Sequence, residues 1–125
     1  MLKQGLEFKV TTTVDENLTA LHMGSGDMRV YATPAMIALM ENAAMKAVAE
    51  FIGEGNATVG TFMSASHIKA SALGETITAT ATLTEVEGRK LSFRVSASDS
   101  QGVVGEGEHT RFIVDREKFM SKITK

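Results

Sequence analysis

The stretch "TPAMIALMENAAMKAVAEF", Thr33 to Phe51, decides the fold, because its apolar residues recur at the spacing of an amphipathic α-helix. Thr33 followed by Pro34 predicts the start of this helix, with the threonine as N-cap and the proline at the first helical position. The segment that begins at Gly53 predicts its end. A helix of this kind needs an apolar surface to pack against, which the rest of the chain must supply.

Glu41 does not fit the polar side of this helix. The stripe expected to face solvent contains Asn42, Lys46 and Glu50, one turn apart. Glu41 projects roughly 140° away from Lys46, toward the apolar face. Because an ionised carboxylate in apolar surroundings costs several kcal/mol, such a residue is normally paired, metal-bound or functional. Glu41 is therefore a candidate functional residue.

Most of the remaining chain predicts β-strands, because apolar residues alternate with polar ones. The clearest case is "TITATATL", in which threonine occupies every second position. Gly88 predicts a hairpin turn, and the glycine-rich segment from His22 to Met28 predicts a mobile loop before the helix. The predicted strands lie within Leu6–Val14, Thr58–Ser71, Glu75–Lys90, Lys90–Ser100 and Val103–Val114.

One strand, one long helix and four further strands joined mainly by short turns predict an α+β protein. Its sheet is expected to be mostly antiparallel, with the helix packed on one face. The 125 residues, 43% hydrophobic and 22% charged, predict a single domain over residues 1–125.

The composition also excludes several classes of partner. A net charge of -2 and the absence of a dense Lys/Arg block disfavour nucleic-acid binding. The N-terminal residues lack the apolar core of a signal peptide, and Lys46 interrupts the most apolar helix, so we expect neither export nor a membrane partner. With no cysteine, disulfides and thiolate chemistry are absent. We therefore expect a cytoplasmic protein.

The order of elements resembles the hot-dog fold, in which a curved antiparallel sheet of about five strands wraps around a central helix. More specific are "VYATPAMIALMENAAMKAV" and "VGTFMSASHIKASALGETITATATLTEVEGRKLSFRVSASDSQGVVGEGEHTRF". Together these segments resemble the fluoroacetyl-CoA thioesterase-type branch of the hot-dog thioesterases, from about Val30 to Phe119. The resemblance implies an acyl-CoA thioesterase that acts without a cofactor, since coenzyme A is part of its substrate.

The resemblance also implies a set of site residues. The catalytic set of that family corresponds here to Thr33 at the helix start, Glu41 eight residues later and His67 on the following strand. Its segment on the last strand is matched by Gly107, His109 and Arg111, and its Gly-Thr pair after the helix by Gly60 and Thr61. We therefore expect Gly60, His109 and Arg111 to contact substrate.

One departure from the family pattern concerns the acyl group. The fluoroacetate-specialised members carry aromatic residues in the loop before the helix, whereas "LHMGSGDMRV" contains no phenylalanine. This difference disfavours fluoroacetyl-CoA as the native substrate and leaves a short or medium acyl group, or an aryl group, as the expectation. The identity of the acyl group stays open, as does the choice between coenzyme A and a carrier protein.

Each candidate also has a purely structural interpretation. Glu41 is suited to act as general base or as nucleophile, or it forms a structural ion pair with Arg94 or Arg111. Thr33 is explained equally well as an N-cap. His67 is expected to bond Glu41 or to transfer a proton, and His109 is its rival on the same criteria.

Helix geometry separates two of these candidates. Eight residues put Thr33 and Glu41 about 12 Å apart along the helix axis, too far for both to reach one carbonyl carbon. A site shared across a two-fold interface resolves this, so we predict a homodimer or a dimer of dimers. No His-x-x-His or His-Glu-x-x-His spacing is present, which disfavours a metal site.

Two other functions compete with hydrolysis. A non-catalytic module that binds or senses acyl-CoA is the main alternative, although it needs no carboxylate on an apolar helix face. A hot-dog hydratase ranks last, because no aspartate lies near His67 in the sequence and Asp99 lies in a predicted turn.

Overall fold

The computed structural model describes residues 1–124 and consists of one antiparallel sheet and one long helix. The five strands lie side by side in the order β1-β3-β4-β5-β2. Their bounds are β1 (Glu7–Thr13), β2 (Asn56–His67), β3 (Thr76–Glu87), β4 (Lys90–Asp99) and β5 (Gly102–Asp115). The helices are α1 (Ala20–Met23), α2 (Thr33–Val48) and α3 (Arg116–Ile123), with 3-10 turns at Glu16–Leu18 and Ala49–Phe51.

The core lies between α2 and the concave face of the sheet. Met36 and Met40 on α2 are completely buried, as are Ile77 and Leu83 on β3. From Ile77 to Leu83 on β3 every second residue is buried, which confirms the period predicted from the threonine-rich segment. Small side chains line the same face of α2, and they let the helix approach the strands closely: Ala35, Ala43, Ala44 and Ala47. The curved sheet and its central helix confirm the predicted hot-dog fold and the α+β class.

The start of α2 differs from the prediction. Ala32, with an extended backbone, is the N-cap, and Thr33 is already the first helical residue. Thr33 makes no capping bond, so the interpretation of this residue as an N-cap is wrong. At the other end, α2 stops at Val48 and a 3-10 turn follows, after which Gly53 adopts a left-handed conformation at φ +96°. The predicted glycine stop is confirmed.

Three other elements also differ from the prediction. The segment predicted as a loop begins with the last turn of α1, which Thr19 caps by accepting a bond from the N–H of His22. The long second strand ends at His67 rather than Ser71. Helix α3 was not predicted; Asp115 caps it by accepting a bond from the N–H of Lys118. Among residues 1–124, no helix is both long and apolar enough to cross a membrane.

Strand β2 forms an edge of the sheet and pairs only with β5 within the described chain. A bulge interrupts the pairing between Gly60 and Phe62. Phe62 is 54% exposed on this edge. An uncovered edge strand with an exposed aromatic residue is a surface that soluble proteins usually pair or protect.

Candidate active site

Thr33 and His67 form one pair. The hydroxyl oxygen of Thr33 lies 2.7 Å from Nδ1 of His67, and the tautomer of the ring decides which group donates. Thr33 is the first residue of α2 and His67 the last residue of β2, so the end of the strand meets the start of the helix. Within one chain the imidazole of His67 bonds Thr33 and not Glu41.

Burial governs the ionisation of His67. Its Nε2 is buried and has no hydrogen-bond partner within residues 1–124. Burial lowers the pKa of His67, and the nearby backbone of Lys69 partly offsets this effect. The ring of Tyr31 lies edge-on to the imidazole, with centroids 6.2 Å apart. His67 is therefore a neutral imidazole near neutral pH, able to accept or donate a proton.

A cavity of about 290 Å³ opens beside this pair. Thr33 and His67 lie in its wall with Tyr31, while Ala20 and Val30 contribute apolar surface. The first turn of an α-helix leaves N–H groups without partners inside the helix and carries a partial positive charge. Pro34 has no N–H and the N–H of Met36 bonds the Ala32 carbonyl, so Thr33 and Ala35 hold the N–H groups at the start of α2 that are suited to an oxygen gaining negative charge.

Glu41 lies in a second cluster, beside Gly60. A Cβ atom at Gly60 would come within 3.0 Å of a carboxylate oxygen of Glu41 and 3.1 Å of Cε1 of His109. Glycine at this position therefore lets the carboxylate approach the backbone of β2. The carboxylate is half-buried rather than enclosed.

The structural explanation of Glu41 as one half of an ion pair is not supported. Neither of the two salt bridges found among residues 1–124 includes Glu41. Arg94, one of the two expected partners, is exposed. Burial lowers the pKa of Arg111 and the charge of Glu41 opposes this shift, so the two residues are close. Arg111 nevertheless donates hydrogen bonds to Thr58 and not to Glu41.

Arg111 and His109 are held by a buried hydrogen-bond network. Arg111 donates through Nε to the hydroxyl of Thr58 at 2.8 Å and through Nη2 to the Thr58 carbonyl at 2.9 Å. Its Nη1 lies 3.1 Å from Nε2 of His109, and Nδ1 of His109 lies 2.7 Å from the carbonyl of Phe62. Since a guanidinium only donates, Nε2 of His109 accepts and Nδ1 carries the proton to Phe62.

This network fixes the charges of both residues. Burial lowers the pKa of His109, and the charge of Arg111 adds to that effect, whereas the Phe62 carbonyl and Glu41 oppose it. Burial also lowers the pKa of Arg111, and Glu41 again opposes the shift. The result is a neutral His109 and a rigidly held guanidinium beside the Glu41 carboxylate.

Gly107 has a structural role. A Cβ atom at Gly107 would lie 1.9 Å from the carbonyl oxygen of Ser64 on β2. No side chain fits there without separating β5 from β2, because real Cβ atoms do not approach a backbone oxygen so closely. Gly107 thus maintains the strand pairing that places His109 and Arg111.

The predicted site residues therefore form two groups in one chain. Thr33 and His67 meet at one end of α2, while Glu41 meets Gly60, His109 and Arg111 about two turns further along the helix. Sequence reasoning missed Thr58 and Tyr31. A buried arginine needs acceptors, so a threonine near the start of β2 could have been sought as the partner of Arg111. Across residues 1–124 no three His, Cys, Asp or Glu side chains cluster closely enough to hold a metal ion.

The fold, together with a half-buried carboxylate and the threonine–histidine pair, places this chain among the hot-dog thioesterases. Residues 14–117 match the model of the fluoroacetyl-CoA-specific thioesterase family, and the chain belongs to that family. It is 43% identical over 94 residues to the fluoroacetyl-CoA thioesterase of Streptantibioticus cattleyicolor, an alignment that covers 75% of this chain and 68% of the relative.

Solved structures agree with this assignment. The chain superposes on the fluoroacetyl-CoA thioesterase FlK with a TM-score of 0.92 and 35% identity, over 98% of this chain and 96% of the other. A Thermus thermophilus protein described as a thioesterase superfamily member gives a TM-score of 0.88 at 27% identity, over 96% of this chain and 89% of the other. The protein is thus an acyl-CoA thioesterase, as predicted, and a purely binding module is not favoured.

Proposed function

We propose that Glu41 is the central catalytic group of this thioesterase. Hydrolysis adds water across the thioester, so the carbonyl carbon gains oxygen, the carbon–sulfur bond breaks and the thiol leaves with a proton. Glu41 acts either as the base that takes a proton from water or as the nucleophile that first bonds the acyl carbon. The observation that carries this proposal is the half-buried carboxylate, free of any ion pair in residues 1–124, beside Gly60.

The neighbours of Glu41 support this role. Arg111 and the neutral His109 keep the surroundings of the carboxylate polar without bonding it directly. Gly60, which has no side chain, lets the carboxylate lie close to the backbone of β2. We assign substrate contact to Gly60, His109 and Arg111, and no metal or bound cofactor to the reaction. Dialysis against a chelator should therefore leave the rate of thiol release unchanged.

The deciding experiment compares free-thiol release by the wild type and Glu41→Gln across acyl-CoA substrates from acetyl through aryl to long-chain. We expect Glu41→Gln to lose about 100-fold or more in kcat/KM, at least about 2.7 kcal/mol of transition-state stabilisation. Glu50→Gln, in the exposed 3-10 turn after α2, is the matched control and should retain the wild-type rate. A folded Glu41→Gln protein with full activity would remove Glu41 from the mechanism.

A second measurement separates the two roles of Glu41. Enzyme quenched in acid during turnover and examined by mass spectrometry should carry an acyl adduct on the Glu41 peptide if the carboxylate is the nucleophile. The absence of any adduct, with turnover confirmed, would assign the role of general base.

We further propose that the complete site forms between two copies of the chain. Thr33 and Glu41 lie about 12 Å apart along α2, so neither cluster alone brings all the groups to one carbonyl carbon. Both clusters, however, touch the free edge strand β2, through His67 and Gly60. Antiparallel pairing of two β2 strands about an axis between Met63 and Ser64 puts Gly60 opposite the partner's His67. This arrangement joins Thr33 and His67 of one chain to the second cluster of the other.

Subunit mixing tests the shared site. Glu41→Gln and Thr33→Ala should each be nearly inactive alone. After unfolding and refolding together in equal amounts, half of the dimers contain one copy of each variant and carry one intact site. We therefore expect roughly a quarter of the wild-type activity to return. No recovery, with mixed dimers demonstrated, would show that each site lies within one chain.

The acyl group we propose is short or medium, because the cavity beside Thr33 is small. The relatives named for fluoroacetyl-CoA make that thioester a necessary member of the substrate panel. The cytoplasm remains the predicted location, and fractionation of cells with an antibody against the protein would check it.

A further inference from the structure

A partly buried ion pair lies beside the cavity that Thr33 and His67 share. Nζ of Lys69 lies 2.5 Å from Oδ2 of Asp99; the aspartate side chain is 0% exposed and the lysine side chain 31% exposed. The aspartate also accepts a bond at 2.8 Å from the Ser71 hydroxyl and another at 2.8 Å from the N–H of Gln101. The bond from Lys69 is the main reason that the pKa of Asp99 falls to about 2. The carboxylate is therefore ionised at neutral pH but hidden from solvent.

One N–H donor of the Lys69 ammonium is available to a ligand. Its ammonium has three N–H donors, of which one bonds Asp99 and a second reaches the carbonyl of Ala70 at 3.3 Å. No other bond to this ammonium occurs within residues 1–124. Lys69 also lines the cavity, so the remaining donor is available to a molecule bound there.

The cavity wall therefore includes one charged hydrogen-bond donor, and Asp99 balances its charge from outside the cavity lining. Its other described lining residues are apolar or neutral, and burial keeps His67 unprotonated near neutral pH. Because Lys69 lines the cavity and the unexposed Asp99 does not, a ligand bound there meets the lysine and not the carboxylate. A charged hydrogen-bond donor in a mostly neutral cavity favours an anionic oxygen.

A coenzyme A thioester can supply an anionic oxygen from two places, a carboxylate on the acyl group or the phosphates of coenzyme A. Lys69 follows His67 by two residues, at most about 7 Å along the backbone. The phosphates lie at the far end of the pantetheine arm from the thioester. Since the proposed function puts the thioester at Thr33 and His67, the acyl group is the nearer source.

We propose that the substrate is a coenzyme A thioester of a short dicarboxylic acid, whose far carboxylate binds Lys69. Asp99 is a positioning residue that holds the ammonium at the cavity wall. This inference rests on the proposed function, because it takes the Thr33–His67 pair as the site of the thioester. It extends that function by naming the chemical class of the acyl group.

The test uses four substrates and two variants. The substrates are succinyl-CoA, butyryl-CoA and the corresponding N-acetylcysteamine thioesters, which lack phosphates. Lys69→Met removes the charge and keeps the length of the side chain; Lys46→Met, on the exposed side of α2, is the matched control. We expect Lys69→Met to lose about 10- to 100-fold in kcat/KM on both succinyl thioesters and less than about 3-fold on both butyryl thioesters. Lys69→Arg should keep the preference for succinyl thioesters.

The other outcomes each overturn the inference. A loss confined to the two coenzyme A thioesters would assign Lys69 to the phosphates. An equal loss on all four substrates would make the ion pair a purely structural feature, and no loss on any would remove Lys69 from the site. Glu41-dependent hydrolysis of butyryl-CoA without preference for succinyl-CoA would overturn this inference alone. Absence of thiol release from all four by the folded wild type would count against the proposed function as well.

Discussion

His109 and Arg111 show how single buried polar residues are satisfied in this protein. Each is held by directed bonds to a neighbour on β2, Thr58 or Phe62, and together they bring fixed charge and polarity beside Glu41. A buried network of this kind is stable only if every member has a partner. Outside this network, two buried polar atoms of the described chain have no partner, the hydroxyl of Tyr31 and Nε2 of His67.

Two histidines, the half-buried His67 and the buried His109, make stability depend on pH. The pKa values of His67 and His109 are lowered in the folded protein, so below about pH 6.5 the unfolded chain takes up protons more readily. The free energy of unfolding should therefore fall between pH 7 and pH 5. Asp99, with a pKa of about 2, loses its contribution only below about pH 4. Urea denaturation across this range measures the effect, and His109→Asn should flatten the slope between pH 7 and pH 5. A slope identical to that of the wild type would contradict the assignment to His109.

The unpartnered hydroxyl of Tyr31 predicts an unusual mutational result. Burial raises the pKa of Tyr31 to about 12, and its side chain is 2% exposed. Removing a buried hydroxyl that has no partner abolishes a desolvation cost and leaves the packing of the ring intact. Tyr31→Phe should therefore leave the free energy of unfolding unchanged or raise it by up to about 1 kcal/mol. A loss of more than about 1 kcal/mol in urea denaturation would show that the hydroxyl has a partner in solution.

At the scale of elements, the strand pair β2–β5 organises the site. It places Gly60 opposite Arg111 and Met63 opposite His109, and the bulge after Gly60 brings the Phe62 carbonyl to His109. The backbones of the two strands approach closely where Gly105 and Gly107 have no side chain. The position of the second cluster therefore depends on strand spacing as much as on its own side chains.

Gly107→Ala tests this dependence. The added Cβ would meet the Ser64 carbonyl at 1.9 Å, so β5 and β2 must separate. We expect a loss of at least about 2 kcal/mol in the free energy of unfolding and a fall in thiol release. Glu108→Ala, at the exposed neighbouring position, should change stability by less than about 0.5 kcal/mol. Equal stability of the two variants in thermal or urea denaturation would contradict this role.

Elements in which apolar residues recur at a regular spacing could be predicted from the sequence, whereas contacts between residues distant in sequence could not. The threonine-rich strand and the long helix repeat one pattern over many residues, which local chemistry determines. Short elements such as α1 and α3 carry too few residues to show a period. The bond between Thr33 and His67 joins residues that are 34 positions apart, so only the packing of α2 against the end of β2 reveals it.

The glutamate on the apolar face illustrates the same limit. Helical geometry identified Glu41 as unusual and separated it from Thr33 along the axis. Its partners could not be found in that way, because Gly60 belongs to a strand and approaches the carboxylate only through tertiary packing. The resemblance to a known family supplied those positions, while the structure supplied the reason for a glycine there.

At the scale of the whole molecule, β2 is the one of the two edge strands that touches both clusters. Strand β2 has open backbone groups along one side, and Phe62 is exposed there. A second copy of the same strand covers this edge most simply, and a closed two-fold pair leaves β1 as the outer edge of each chain's sheet.

We therefore expect two chains per particle by light scattering and a melting temperature that rises with protein concentration. Phe62→Asp should shift the particle toward one chain and lower thiol release. Val103→Asp, which changes an exposed apolar residue on β5, should do neither. A fully active single chain would rule out the shared site.

The separation of the two clusters along one helix has a consequence for the evolution of the protein. In a dimer of the proposed kind, each chain carries one half of two sites, so a duplicated and fused gene would contain every half twice. One copy could then lose Glu41 and the other Thr33 and His67 while one complete site survived. Such a descendant would have one active and one inactive site in a single polypeptide. The sequence of each half, considered alone, would lack part of the catalytic set.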